Sequence, residues 1–353
     1  MLGCRRTETR MKGMMDIEAR IARALVVRPD DRLGNVVLTT GLVAALRRAL
    51  PDAEIDWLVP RRFAPLVADN PHRVRVLGFE KRWLFRAPWK WAAFLAELGN
   101  RRYDLTIDAS HEHVVSRTGL WLTRWSGAPL RVGHARGGVG RHYTHVVSPA
   151  DAPTHELTRK HRLLRALFPE IAPAPPWIGR LPSPATKRID AWLNESGLDG
   201  RSFVVLWPGS RKADRRRPWR EYVELMKRRR DEGIAVVIGW GPGEENVARA
   251  IAAELAAPLA PDMNPMELAA LVMRSCGYAG NDTGPLHLAF ALGRRTFSLM
   301  PDAETATRWG YEGGGHRAVL VGSSGLGAAT IREALDEWLA ALAAEGRRCA
   351  SSS

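Results

Sequence analysis

Two successive series of short apolar runs, each passing through a turn into a stretch of helical spacing, constrain this chain more than any other feature. Strands that alternate with helices pair in parallel, because each helical crossover returns the chain to the same end of the sheet. In the first series, residues 24–28 (ALVVR) run into Pro29-Asp30-Asp31-Arg32-Leu33-Gly34-Asn35, and 36–50 follow as a helix that stops at Pro51. Residues 55–59 and 73–77 read as strands, 84–98 as a helix and 103–109 (YDLTIDA) as a further strand. The second series opens after a proline-rich segment, 169–184, with strand 203–207 (FVVLW) entering Pro208-Gly209-Ser210. Helix 219–232, strand 235–239, helix 266–275, strand end 277–280, helix 285–292, strand 296–300 and a closing helix 331–344 complete it. The pattern predicts an α/β chain of two Rossmann-like α/β/α domains facing across a cleft. A polar arm spans 1–20, the domains 21–175 and 176–345, and a tail 346–353. Ligands of open parallel sheets bind at the carboxyl ends of strands, so the loops above are where a site is expected.

A chain of 353 residues with 45% hydrophobic side chains fills two such domains without a metal or disulfide staple. Cys4, Cys276 and Cys349 are too scattered for a metal or disulfide framework, and no bound metal or cofactor is expected. Lysine and arginine number 52 against 38 acidic residues, a formal charge of +14, which points to an anionic partner. Nucleic acid, an acidic membrane surface and phosphorylated small molecules all fit that charge. The absence of any helix-turn-helix, zinc or RNA-recognition signature puts nucleic acid last. No apolar run approaches the ~20 residues that span a bilayer. The opening MLGCRRTETRMKGMMD has no apolar stretch before a cleavage site, and Met11, Met14 or Met15 would serve equally as the start. The expectation is a cytoplasmic protein.

The most specific segment is Gly280-Asn281-Asp282-Thr283-Gly284-Pro285-Leu286-His287, with Leu288–Gly293 behind it. It has the form of a strand end, a small-residue turn and a helix with proline in its first turn. Free N–H groups and the helix dipole make such a start an anion site. The plainer reading is a helix capped by Asp282 or Thr283, with His287 as a core histidine. Both readings stand on the residues alone.

GNDTGPLHLAFALG resembles the signature of glycosyltransferase family 9, the bacterial lipopolysaccharide heptosyltransferases. Three further segments match in order: Arg32–Thr40 (RLGNVVLTT), Leu206–Ser210 (LWPGS) with Arg215-Arg216-Arg217-Pro218, and Gly241–Glu244 (GPGE). The resemblance runs from about residue 22 to 320. It implies a GT-B fold in which the first domain binds the acceptor and the second a nucleotide-activated sugar. It further implies an inverting, metal-independent transfer of a heptose or related sugar from a nucleoside-diphosphate donor, with ADP-heptose the expected one, to a lipopolysaccharide-core or other lipid-linked glycan. Carried over residue by residue, Asp282, Thr283, Gly284 and His287 lie at the donor, with Ser210 and the phosphate-clamping Arg215 or Arg216. Glu244 suits the ribose hydroxyls. Gly34, Thr39 and His113 fall on the acceptor side.

One departure bears on mechanism. Where the family has an aspartate proposed as the base, this chain has Asn35, and an amide orients a hydroxyl without taking its proton. Asp30 and Asp31 lie in the same loop, and His111, Glu112 and His113 follow the 103–109 strand. Asp31 is the first choice for the base and His111 the second, against turn and surface-loop roles for the same residues. Asn35 also motivates a competing reading, a GT-B relative that binds sugar or lipid without catalysis. Finally, residues 80–98 (EKRWLFRAPWKWAAFLAEL) place Lys81, Arg82, Arg86 and Lys90 among Trp83, Phe85, Trp89 and Trp91. That mixture suits peripheral attachment to the anionic inner face of the cytoplasmic membrane, or else a helix packing its tryptophans on the sheet.

Overall fold

The computed structural model describes residues 20–211, 217–227, 234–321 and 328–351. The chain divides into two compact units between Arg180 and Leu181. Each is built on a parallel sheet, the α/β architecture expected of the GT-B class. The first unit holds β1 (Arg23–Val27), β2 (Glu54–Pro60), β3 (Val74–Phe79), β4 (Leu105–Asp108), β5 (Leu130–His134) and β6 (His145–Val147). Their spatial order is β3-β2-β1-β4-β5-β6. The second unit holds β7 (Phe203–Trp207), β8 (Ala235–Ile238), β9 (Gly277–Asn281), β10 (Arg295–Met300) and β11 (Arg317–Leu320). There the order is β11-β10-β9-β7-β8. Each order reverses once, between β1 and β4 and between β7 and β9. Crossovers leave to opposite faces at such a point, and the parted loops open a crevice.

Burial on both faces explains the near-continuous apolar strands. Ala24 to Val27 are fully buried, as are Val204 and Val205. Under the first sheet Leu25, Val27, Leu58, Phe79, Phe94, Leu98 and Leu122 form one core. In the second unit Leu206, Tyr222, Ile238, Ile251, Phe297 and Trp338 form another. Helix Leu33–Ala49 is buried on almost every side and packs along helix Glu156–Arg165. The proline-rich segment is tied to the first unit. Trp177 donates its backbone N–H to Thr40 Oγ1 and its indole N–H to the Thr40 carbonyl, both at 2.8 Å.

Two expected elements differ. The helix expected over 84–98 is two helices, Trp83–Arg86 and Pro88–Asn100. Pro88 starts the second, and Ala87 before it takes an extended φ of −154°, because a proline ring crowds helical geometry at the preceding residue. The helix expected over 219–232 runs Trp219–Met226, and residues 228–233 lie outside the described residues.

Candidate functional site

In the first unit, the loops leaving β1 and β4 meet over helix Glu156–Arg165. Arg28, 1% exposed, is the centre. Its Nη1 donates to the Ala109 carbonyl at 2.7 Å, its Nη2 lies 2.8 Å from His111 Nε2, and its Nε pairs with Asp30 Oδ1 at 2.8 Å. A guanidinium only donates, so His111 Nε2 accepts and the imidazole proton sits on Nδ1, which donates to Glu156. Asn35 Nδ2 donates to the other Asp30 oxygen, and Asn35 Oδ1 lies 3.0 Å from His111 Nε2. Beneath them Lys160, fully buried, donates to the Ala109 carbonyl at 2.9 Å and lies 3.6 Å from Glu156.

These groups shift one another's titration. Burial and then the Arg28 charge push His111 down to about 3, so it is neutral near pH 7. Burial and Arg28 likewise push Lys160 down to about 7. For Asp30, burial favours the neutral acid, but Arg28, the Asn35 amide, His111 and Lys160 together outweigh it and lower the carboxyl. For Glu156, burial is again outweighed, by the His111 hydrogen bond and by the charges of His111, Lys160 and Arg28.

The sequence-derived residues fall differently around this cluster. Asn35 and His111 are brought together, and the His113 ring lies tilted beside His111 at 5.2 Å between ring centroids. Gly34 is buried in the first turn of its helix. Asp31 points away: its side chain is 64% exposed and pairs with Arg62 at 2.5 Å. Thr39 is fully buried and donates its hydroxyl to the Asn35 carbonyl at 2.7 Å, so it serves the helix rather than a loop surface. Sequence reasoning missed Arg28, Glu156 and Lys160. A charged residue closing an apolar strand was the visible signal for Arg28. Nothing local marks the other two, whose burial follows from packing against helix Leu33–Ala49.

In the second unit, helix Gly284–Ala291 starts at the end of β9. Thr283 is its N-cap in extended geometry and makes no side-chain cap bond. The helix's first amides thus receive nothing from the cap hydroxyl, which leaves them suited to an anion. The turn is held from behind by neutral groups. Asn281 donates to the Pro208 carbonyl at 2.8 Å and accepts from Tyr222 at 2.7 Å, and Tyr278 donates to the Asn281 carbonyl at 2.8 Å. Gly280 has φ +153° in register with Trp207, and a Cβ there would overlap the Trp207 carbonyl oxygen. Glu244 accepts from the Gly241 N–H at 3.0 Å and lies against Gly209, where any Cβ would meet its carboxylate. This brings together the turn after β8 and the Pro208–Ser210 loop, with Ser210 buried. His287 is buried, 2.8 Å from the Tyr311 hydroxyl through Nδ1 and 3.6 Å from Asp282 through Nε2. Arg215 and Arg216 lie outside the described residues. Arg217, next in the run, donates to Glu221 at 2.6 Å and to the Val321 carbonyl at 2.8 Å, which is a structural role.

The family model for glycosyltransferase family 9 (heptosyltransferase) matches residues 91–326. Lipopolysaccharide heptosyltransferase 1 of Pseudomonas aeruginosa is 26% identical over 290 residues, 79% of this chain and 78% of that protein. A family 9 glycosyl transferase from Veillonella parvula superposes with a TM-score of 0.75 at 16% identity, covering 92% of this chain and 97% of the other. Escherichia coli heptosyltransferase WaaC with ADP gives a TM-score of 0.69 at 22% identity, over 90% and 99% of the respective chains.

Proposed function

Because the chain belongs to glycosyltransferase family 9, the heptosyltransferase family, we propose that it moves a heptose or related sugar from ADP-heptose to a lipid-linked glycan. The acceptor in this reading is the lipopolysaccharide core, approached at the cytoplasmic face of the membrane, and the transfer inverts the anomeric centre without a metal. The observation that carries the reading is the helix start at Thr283, whose hydroxyl makes no cap bond, tied through Asn281 to the Pro208–Ser210 loop against which Glu244 lies. As the glycosidic bond breaks, charge grows on the leaving diphosphate, and fixed N–H donors favour that state over the ground state. Asp282, Thr283 and Gly284 take the donor, Glu244 its ribose, and Arg215 or Arg216 its phosphates. His287 holds the turn through Asp282.

On the acceptor side, Asp30 is the base. Its side chain keeps 29% exposure, and Arg28 and Asn35 fix both oxygens in direction while leaving lone pairs for a hydroxyl. Its lowered pKa keeps the basic form populated throughout the neutral range. His111 does not take the proton in this reading, since its Nε2 lone pair already accepts from Arg28. Gly34, Asn35 and His113 border the acceptor hydroxyl.

The test is a transfer assay with ADP-heptose and a deacylated core acceptor, followed by mass spectrometry, beside a thermal-shift panel of nucleotides. Stabilisation by ADP and a heptose-sized gain on the acceptor are expected. A ligand at 100 times its dissociation constant adds about 2.7 kcal/mol. Stabilisation with no transfer from any donor would favour the non-catalytic relative that Asn35 suggests. The absence of both stabilisation and transfer would overturn the reading.

A further inference from the structure

Large hydrophobic side chains left exposed are concentrated in one part of the first unit. Of the nine such residues among those described, seven fall between Leu84 and Trp89 or between Val114 and Trp125. Phe85 is 85% exposed and Trp89 67%. Single exposed apolar residues need no explanation, but a contiguous group does. The two segments are contiguous: Trp91 stacks on Trp121 at 5.6 Å, Trp121 on Trp125 at 5.3 Å, and the Trp125 indole donates to the Leu95 carbonyl at 2.9 Å.

The structure divides the tryptophans that the sequence left undecided. Trp83 and Trp91 pack toward the core with Phe79 and Phe94. Trp89 faces out, on a helix side completed by exposed Ala92, Ala93 and Ala96. Lys81, Arg82, Arg86, Lys90, Arg117 and Arg124 are exposed around it. The two carboxylates of these segments, Glu80 and Glu97, pair with Arg61 and Arg75. The patch is therefore apolar at its centre and cationic at its rim, complementary to anionic headgroups over acyl chains. Topology adds a direction. Helices Trp83–Arg86 and Pro88–Asn100 begin just past the carboxyl end of β3, and Val114-Val115 directly follows His111–His113 at the carboxyl end of β4. The patch thus opens at the edge of the sheet from which the Asp30 and His111 loops rise.

We propose that Phe85, Trp89 and the exposed faces of helices Pro88–Asn100 and Arg117–Trp125 form the surface by which this chain docks on an anionic lipid bilayer. The surface rests on the transferase reading only for its purpose, which is to bring the β1 and β4 loops to a lipid-anchored acceptor. Docking itself needs no donor and is measured without one.

The experiment is co-sedimentation of the full chain with phosphatidylcholine vesicles, with and without phosphatidylglycerol, over a salt series. Binding to the anionic vesicles, falling as salt rises, is expected. The variant Phe85→Ser/Trp89→Ser removes two side chains that are already outside the core. It is expected to bind roughly tenfold more weakly while keeping the parental thermal shift with ADP. Lys81→Glu/Lys90→Glu is expected to remove the preference for phosphatidylglycerol. The proposal is overturned if the parent ignores anionic vesicles at low salt, or if the Phe85→Ser/Trp89→Ser variant binds them as the parent does. Retention of a soluble core glycan on the same patch without vesicle binding would overturn it too, and would make the patch a sugar platform. Loss of transfer with vesicle binding intact would count against the transferase reading alone.

Discussion

At the reversal between β1 and β4 the first unit gathers Arg28, Asp30, His111, Glu156 and Lys160, all titratable or charged and held by one another. At the corresponding reversal between β7 and β9 the second unit gathers a helix start supported by Asn281, Tyr222 and Tyr278, whose roles are neutral hydrogen bonds. The same sheet rule produces both crevices, yet their contents suit different work. In the proposed function, the helix start of the second unit, braced by these hydrogen bonds, receives a charge that the ligand brings. In the same reading, a network of mutually tuned acids and bases moves a proton, because each member's protonation is set before substrate arrives.

The comparison breaks most visibly at Asp30. If the first crevice is the proton-moving one, Asp30→Asn lowers turnover by roughly 10²–10⁴, about 3–5 kcal/mol of transition-state stabilisation, while ADP affinity holds. Asp31→Asn, in an exposed pair with Arg62, stays within a few-fold of the parent. The lowered pKa of Asp30 also places the acid limb of kcat/KM below its ordinary 3.8. Equal losses in the two variants, or a limb near pH 6 to 7 as for a free imidazole, would give the role back to the residues that sequence favoured.

That choice between neighbours marks the limit of what sequence carries. The β1 loop and the Gly280–His287 turn were legible because strand end, small residues and helix start are consecutive. Which of Asp30 and Asp31 turns inward was not, since adjacent residues differ by the path of the loop and by the buried Arg28 waiting for one of them. Helix Glu156–Arg165 (ELTRKHRLLR) went unread for a related reason. Its composition describes a solvated helix, and packing under helix Leu33–Ala49 and the Ala109–His111 loop buries Glu156 and Lys160. Strands β5 and β6 are short and carry arginine or histidine, so their periodicity was too weak to register. The break at Pro88 was missed in a helix expected to run unbroken over 84–98, although the residue before a proline resists helical geometry.

The second unit's rigidity is testable at Gly280. Its φ of +153° and the closeness of the Trp207 carbonyl leave no room for a side chain. Gly280→Ala is expected to destabilise the chain by about 2–4 kcal/mol, backbone strain and overpacking together. It should also weaken ADP, because Asn281 and Thr283 move with the strand end. Gly197→Ala, at a positive φ with open space, is the control and should cost less. A denaturant midpoint unchanged by Gly280→Ala would show that the turn is not fixed by this contact, and would weaken the contrast with the first unit.

The smallest expected effect probes the first unit's tuning directly. Lys160 falls from 10.5 to about 7 on folding, from burial first and then from Arg28, against the pull of Glu156 and Asp30. Between those values the unfolded chain holds the proton and the folded chain does not. The unfolded state therefore binds more protons, and stability rises with pH across that window. Cys276, raised from 9.0 to about 11 by burial, works in the opposite sense above pH 9, since there the folded form keeps its proton longer. Buried tyrosines such as Tyr143 and Tyr222 oppose it in the same way above pH 10. The clean interval is pH 7 to 9, where the urea midpoint of the parent should climb with a slope of at most one proton. Lys160→Met removes the titrating group while keeping an apolar stem in place, and its slope over that interval should be flatter than the parent's. Parallel slopes would mean that Lys160 stays charged when folded, and that the network under His111 is an ordinary ion-pair cluster rather than a tuned one.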